Sequence, residues 1–139
     1  MIEQLQQYQN LAQFIEQAMA RYATCDAFTC LGQTLSFGEI NAHADNLAGY
    51  LHSLGLQAGD RIAVQLPNIN QYPIAVFAAF KLGLVLVNTN PLYTEREMQH
   101  QFNDSGVKAV IILSDLYPKL HNIIADTNIE HVICTGAAD

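Results

Sequence analysis

The sequence predicts an α/β fold, a partial parallel sheet with a mixed edge and helices on both faces. Three observations lead there. Four strand-like runs, Arg61–Leu66, Leu84–Val87, Ala109–Leu113 and His131–Thr135, are each separated by a helix-length segment, the alternation from which parallel sheets with right-handed crossovers are built. Two of those runs, Leu84–Val87 and Ala109–Leu113, are apolar without alternation, as expected of strands covered on both faces. Two capping boxes, Ser36 with Glu39 and Thr94 with Glu97, mark helix starts at the right places between strands.

Taken in order, Leu5, Tyr8, Leu11, Ile15, Ala18 and Tyr22 recur at helical spacing with glutamines opposite, which predicts an amphipathic helix. Its polar face offers only Arg21, whereas a membrane-surface helix needs several basic residues, so it should pack against protein. Ala27–Leu31 and Gln33–Leu35 flank Gly32 as a short hairpin. After the Ser36 box, Ile40, Ala44, Leu47, Leu51 and Leu54 step by four and three, and Gly55 ends that helix. Leu56–Gly59 turns into the next strand.

The stretch Asp60–Gly106 is the organising unit. In Arg61–Leu66, Ile62, Val64 and Leu66 share one face of an alternating, half-buried strand. Pro67-Asn68 stops it, and a helix should start near Tyr72-Pro73, because proline is tolerated in a first helical turn. Ile74 to Phe80 is apolar nearly all round, which predicts a helix buried between layers and ended by Gly83. Tyr93 and Met98 bracket the Thr94 box as a hydrophobic staple. Beyond Gly106, a helix over Asp115–Ala125 presents Leu116, Leu120, Ile123 and Ile124 between the last two strands.

Composition bounds the function. The 139 residues make one domain's length. Half are hydrophobic and 14% charged, a shortage of charge that predicts surface normally covered by more protein. Six basic against thirteen acidic residues, net −7, argue against nucleic acid and anionic membranes, which need positive patches. Ile74–Val87 is interrupted by Lys81 and falls short of the roughly 20 residues of a spanning helix. MIEQLQQYQN has neither a basic start nor a signal-peptide core. Cys25, Cys30 and Cys134, odd in number and in strand-like or apolar surroundings, read as reduced thiols of a cytoplasmic protein.

The fragments LPN, YPIAVFAAFKLG and VNTNPLYTEREMQHQFNDSG, in that order, resemble the early part of AMP-forming acyl-CoA synthetases, the adenylate-forming ligases, and most of all long-chain fatty acid–CoA ligases. NPLYTEREM followed by NDSG is the most specific piece. The resemblance implies that residues 1–139 are an N-terminal fragment of the AMP-binding (adenylation) domain, with the rest of that domain and a small mobile domain lying beyond. It implies, for the whole enzyme, fatty acid, ATP and coenzyme A giving acyl-CoA, AMP and pyrophosphate through an acyl-adenylate, with Mg²⁺. The implied partners are the remainder of the ligase and the fatty acid, with peripheral membrane association of the whole enzyme. The motifs of the chemistry have no counterpart here, so no catalytic, cofactor-binding or metal residue is carried over and no cofactor is expected on this chain. Alone it should be inactive and should self-associate, since an apolar sheet without its neighbours leaves edges and faces open. The competing reading is a free-standing, non-enzymatic α/β module for a partner or ligand. A phosphorelay receiver fits badly, because the strand ends read Pro67-Asn68, Asn88-Thr89 and Ser114-Asp115. Within the family, an aryl-CoA ligase or amino-acid-adenylating enzyme is the alternative.

Candidate chemistry is sparse. The chain has no GxxxxGK[ST], GxGxxG or GxSxG. Thr135-Gly136-Ala137-Ala138 is short, lacks a base, and reads as a strand-ending turn. His43, His52, His100, His121 and His131 never occur as HxxH or HxxxH, and His43, His52 and His100 read as solvated helix positions. Asn103-Asp104-Ser105-Gly106 reads as a helix end rather than a nucleophile. Asn88-Thr89-Asn90, at the carboxyl end of a buried strand where open α/β sheets bind ligands, is the best site by position, although a turn before Pro91 needs the same residues.

Overall fold

A computed structural model describes residues 8–139; Leu5 of the first apolar stripe lies outside them. Helix α1, Leu11–Arg21, begins at Asn10, whose side chain accepts the Gln13 N–H at 2.8 Å. Met19 is the buried residue of α1, while Leu11 and Tyr22 of the expected stripe stay exposed. Lys81 ties the helix in, reaching Glu16 at 3.4 Å and Asp45 at 2.6 Å.

Strands β1, Asp26–Cys30, and β2, Gln33–Ser36, form the hairpin, antiparallel and separate from the main sheet. Leu31 and Gly32 turn it with φ of 50° and 82°, the paired left-handed geometry that matches strand twist. The main sheet is therefore parallel throughout its four strands, without the mixed edge expected from sequence. A two-residue turn lets the hairpin close on itself, and it docks through Asn70 Nδ2 donating to Gln33 O at 3.1 Å.

Ser36 caps α2, Phe37–Ser53, with the reciprocal box to Glu39 in place, and Ile40, Ala44 and Leu51 are fully buried along it. Strand β3, Arg61–Gln65, leads to α3, Gln71–Lys81, with Pro73 in its first turn and Gly83 left-handed beyond it (φ 68°). Strand β4, Val85–Asn88, follows, then α4, Glu95–Ser105, capped by Thr94 and Glu97 and ended by left-handed Gly106. Strand β5, Ala109–Leu113, is followed by a 3₁₀ turn, Ser114–Leu116, then α5, Tyr117–Ile123, then a second 3₁₀ turn, Ile124–Asp126, and β6, His131–Thr135. The sequence predicted one continuous helix there.

The strand order is β4-β3-β5-β6, and it corrects three burial expectations. β3 is central, so Ile62, Ala63, Val64 and Gln65 are all buried rather than alternating. β4 is an edge strand, and Val85 is 47% exposed; its unbroken apolar run reflects packing by α3 and α4, not full cover. In α3 only Pro73, Ala75, Ala78 and Ala79 are buried, because the small side chains seat against α2 and the sheet while Ile74, Val76, Phe77 and Phe80 lie half out.

The helices lie on both faces. Ile62, Val64, Ala109 and Ile111 pack with Ala44, Leu51, Ala75 and Ala78 of α2 and α3. Ala63, Val110 and Ile112 pack with Met98 and Phe102 of α4 and Leu120 and Ile123 of α5, and the staple residue Tyr93 joins them. β3 passes to β4 through α3 on one face, and β5 passes to β6 through α5 on the other. The connections thus diverge between β3 and β5, which makes the carboxyl ends of these strands the topological switch of the sheet.

Candidate functional site at the carboxyl ends of the strands

At the end of β3, Gln65 is fully buried within a sheet of aliphatic side chains. Its Nε2 donates to Asn90 O at 3.1 Å, while its Oε1 has no partner. Asn88 is held twice: Tyr72 Oη donates to its Oδ1 at 2.9 Å and Gln101 Nε2 to its carbonyl at 3.0 Å. Thr89 N–H continues the ladder to Val64 O at 3.0 Å, and the Thr89 side chain, 4% exposed, leaves its Oγ1 unpartnered. Asn90 Oδ1 accepts Leu92 N–H at 2.9 Å and Asn90 O accepts Tyr93 N–H at 3.1 Å, an Asx turn that delivers the chain to Pro91.

Asn88-Thr89-Asn90 is thus a built element, with α3, α4 and β3 each contributing a side chain to it. Both asparagine side-chain oxygens are engaged in the turn. Sequence reading passed over Gln65, Tyr72 and Gln101, the three residues that hold it. The available signal was a glutamine directly after the aliphatic run Ile62–Val64.

The helix ends beside this turn are self-satisfied. Glu97 accepts Thr94 N–H and Thr94 Oγ–H, both at 2.8 Å, and the Ser36–Glu39 box has the same form. The Ser36 and Thr94 backbone N–H groups, then their hydroxyls, hold Glu39 and Glu97 below the ordinary glutamate range. At the amino end of the sheet, Asp60 meets Lys108 at 2.6 Å. That hydrogen bond lowers the Asp60 carboxyl and raises the Lys108 ammonium, locking the starts of β3 and β5 together.

The other sequence candidates are dispersed. His43, His52, His100 and His121 are exposed and His131 is half-buried in β6. Among the described residues no group of three or more His, Cys, Asp or Glu could hold a metal ion, and no helix is long and apolar enough to cross a membrane. Asn103 and Ser105 bond Asp126 O and Gln101 O and so secure the end of α4. Cys25 and Cys134 are exposed and Cys30 half-buried; Cys30 ends β1 and Cys134 lies in β6, strand positions as the sequence suggested, while Cys25 just precedes β1. In the turn after β6, Gly136 N–H is taken by the Asp139 carboxylate at 2.6 Å. A triphosphate cradle needs such N–H groups free and a base nearby; a carboxylate in that place repels phosphate. That turn does not fit a triphosphate.

Residues 15–139 match the family model described as AMP-binding enzyme. The chain is 42% identical over 133 residues to the long-chain-fatty-acid–CoA ligase of Escherichia coli O6:H1 (strain CFT073), a match covering 95% of this chain and 24% of that protein. Among solved structures, the anthranilate CoA ligase AuaEII in complex with anthranoyl-AMP superposes with a TM-score of 0.87 at 19% identity, over 92% of this chain and 25% of that one; at that identity the likeness is one of fold. A long-chain-fatty-acid–CoA ligase from Archaeoglobus fulgidus gives 0.82 at 25% identity, over 90% and 27%. The chain spans about a quarter of the length of the relatives it matches. A family match running from residue 15 to residue 139, on a sheet and helices that superpose on adenylate-forming ligases, shows that this chain belongs to the AMP-binding enzyme family.

Proposed function

We propose that residues 1–139 are the N-terminal part of the adenylation domain of a long-chain fatty acid–CoA ligase, and that they serve as scaffold. The observation that carries this is the 42% identity over 133 residues to a ligase of that name. The whole enzyme would join a fatty acid to coenzyme A at the expense of ATP through an acyl-adenylate, with Mg²⁺ and in the cytoplasm. This chain contributes no reacting group to that chemistry. Its Asn88-Thr89-Asn90 turn, buttressed by Gln65, Tyr72 and Gln101, supports the switch-point end of the sheet, where open α/β sheets seat their ligands.

Fatty-acid-dependent ATP–pyrophosphate exchange tests the reading in two arms. The isolated chain is expected to show none. The same residues, substituted for the matched segment of the Escherichia coli relative, are expected to leave exchange intact. Exchange by the isolated chain would overturn the scaffold role. A soluble, folded chimera without exchange would show that these residues cannot serve as the scaffold of that ligase.

A further inference from the structure

We propose, independently of the function above, that α1 is a strap that undocks and redocks as a unit while the sheet and its other helices stay folded. Its hydrophobic grip is thin. Met19 is the buried side chain of α1, Ala12, Ile15 and Ala18 are half-buried, and Leu11 and Phe14 remain exposed. By contrast, α2 buries Ile40, Ala44, Ala48 and Leu51 along one face. The first turn of α1 also stands off from the end of α3, with a cleft of about 440 Å³ between Asn10–Ala12 and Phe80–Leu84. Docking of a helix is worth what its buried apolar area returns, and a segment that buries little opens at a fraction of the global unfolding free energy.

The ionic tie of α1 is divided against itself. Lys81, the last residue of α3, has a side chain only 9% exposed; Asp45 of α2 meets its Nζ at 2.6 Å and Glu16 of α1 at 3.4 Å. One ammonium thus serves two carboxylates. Asp45, the nearer, cancels most of the positive charge that Glu16 would otherwise feel and repels Glu16 as well, since like and unlike charges a few ångströms apart act with comparable strength. Glu16 therefore adds little to docking. Release of α1 also strands no charge, because Lys81 keeps Asp45 when Glu16 leaves. The same three residues make the strap adjustable: removing the Asp45 charge hands the whole of Lys81 to Glu16 and tightens it.

Thiol labelling tests this. Met19→Cys reports the opening of α1 and Leu120→Cys that of the core, each made with Cys25→Ser, Cys30→Ser and Cys134→Ser. Both sites are buried in the closed protein, and a buried thiol is inert to maleimide until its cover opens. In dilute protein at neutral pH and low salt, the Met19→Cys thiol should label at least about tenfold faster than the Leu120→Cys thiol, at a rate that stays flat in low urea while the other climbs. Equal rates with one urea dependence would overturn the proposal, because α1 would then leave only with the whole fold. In the Met19→Cys background, Glu16→Gln should change labelling by less than about twofold, and Asp45→Asn should slow it about two- to fivefold, the span of an exposed ion pair. Adding Glu16→Gln to Asp45→Asn should abolish that slowing. Faster labelling after Asp45→Asn would overturn the proposal. Should a cysteine variant fail to fold, amide hydrogen exchange of the unaltered chain decides: Leu11–Arg21 is expected to exchange at least about tenfold faster than Phe37–Ser53, and equal protection of the two helices overturns the proposal.

Discussion

Replacing Gln65 by methionine should leave the protein as stable as before or make it more stable. Two opposing quantities decide this. The bond from Gln65 Nε2 to Asn90 O contributes about 1 kcal/mol net, the usual worth of an intramolecular hydrogen bond. Its loss does not orphan the acceptor, since Asn90 O keeps the Tyr93 N–H at 3.1 Å. Against it stands Oε1, fully buried and without a partner, a burial that costs about 1–3 kcal/mol. Methionine has nearly the same length, bends to fill the space, and adds a thioether to the apolar layer around Ile112 and Met98. The sum lies between no change and about 2 kcal/mol of stabilisation. Urea unfolding followed by far-ultraviolet circular dichroism reads it, the chain having no tryptophan for fluorescence. A midpoint shift equivalent to a loss beyond about 1 kcal/mol at unchanged m would refute the reasoning; the amide oxygen would then have a partner that this account lacks.

Phe102, the largest fully buried side chain, sits where α4 meets β5, and Phe102→Ala should cost about 3–5 kcal/mol in the same assay; a loss under about 1 kcal/mol would mean that the α4 layer is not packed as described. Thr94→Ala removes the hydroxyl that caps α4 and should cost about 1 kcal/mol, with no loss expected at exposed Thr24, which lies in a turn, as the comparison. Glu39, Asp60 and Glu97 have folded-state values below their unfolded ones. Their contribution is complete above the unfolded values of about 4 and disappears as pH falls through the lowered folded values; a Glu97→Gln variant should show a shallower acid limb, and an unchanged limb would exclude Glu97 as a source. The isolated chain, whose sheet ends in the open edges of β4 and β6, is expected to self-associate in light scattering, and a sharp monomer independent of concentration would count against that.

What the sequence determined by itself was local. The Ser36–Glu39 and Thr94–Glu97 boxes and the Gly83 and Gly106 helix ends stand where their residues predict, and the hairpin turns at Gly32 with Leu31 drawn from the strand into the turn, because each is settled by hydrogen bonds and dihedrals within a few residues. The alternation of strands and helices pointed to a parallel sheet because a helix-length crossover returns the chain to the same end of the sheet, and the motif order of Leu66–Gly106 carried the family. Strand order was decided only by the tertiary structure. Nothing in Leu84–Val87 distinguishes an edge strand from a central one, since either can be apolar, and Gln65 looks like a solvent-facing residue until β4 and β5 close on both sides of β3. The Asn88–Asn90 turn was legible by position, whereas its supports, Tyr72 and Gln101, come from 16 and 13 residues away and meet it only when α3 and α4 pack on opposite faces. Long-range partners of that kind are fixed by packing, which no local pattern records.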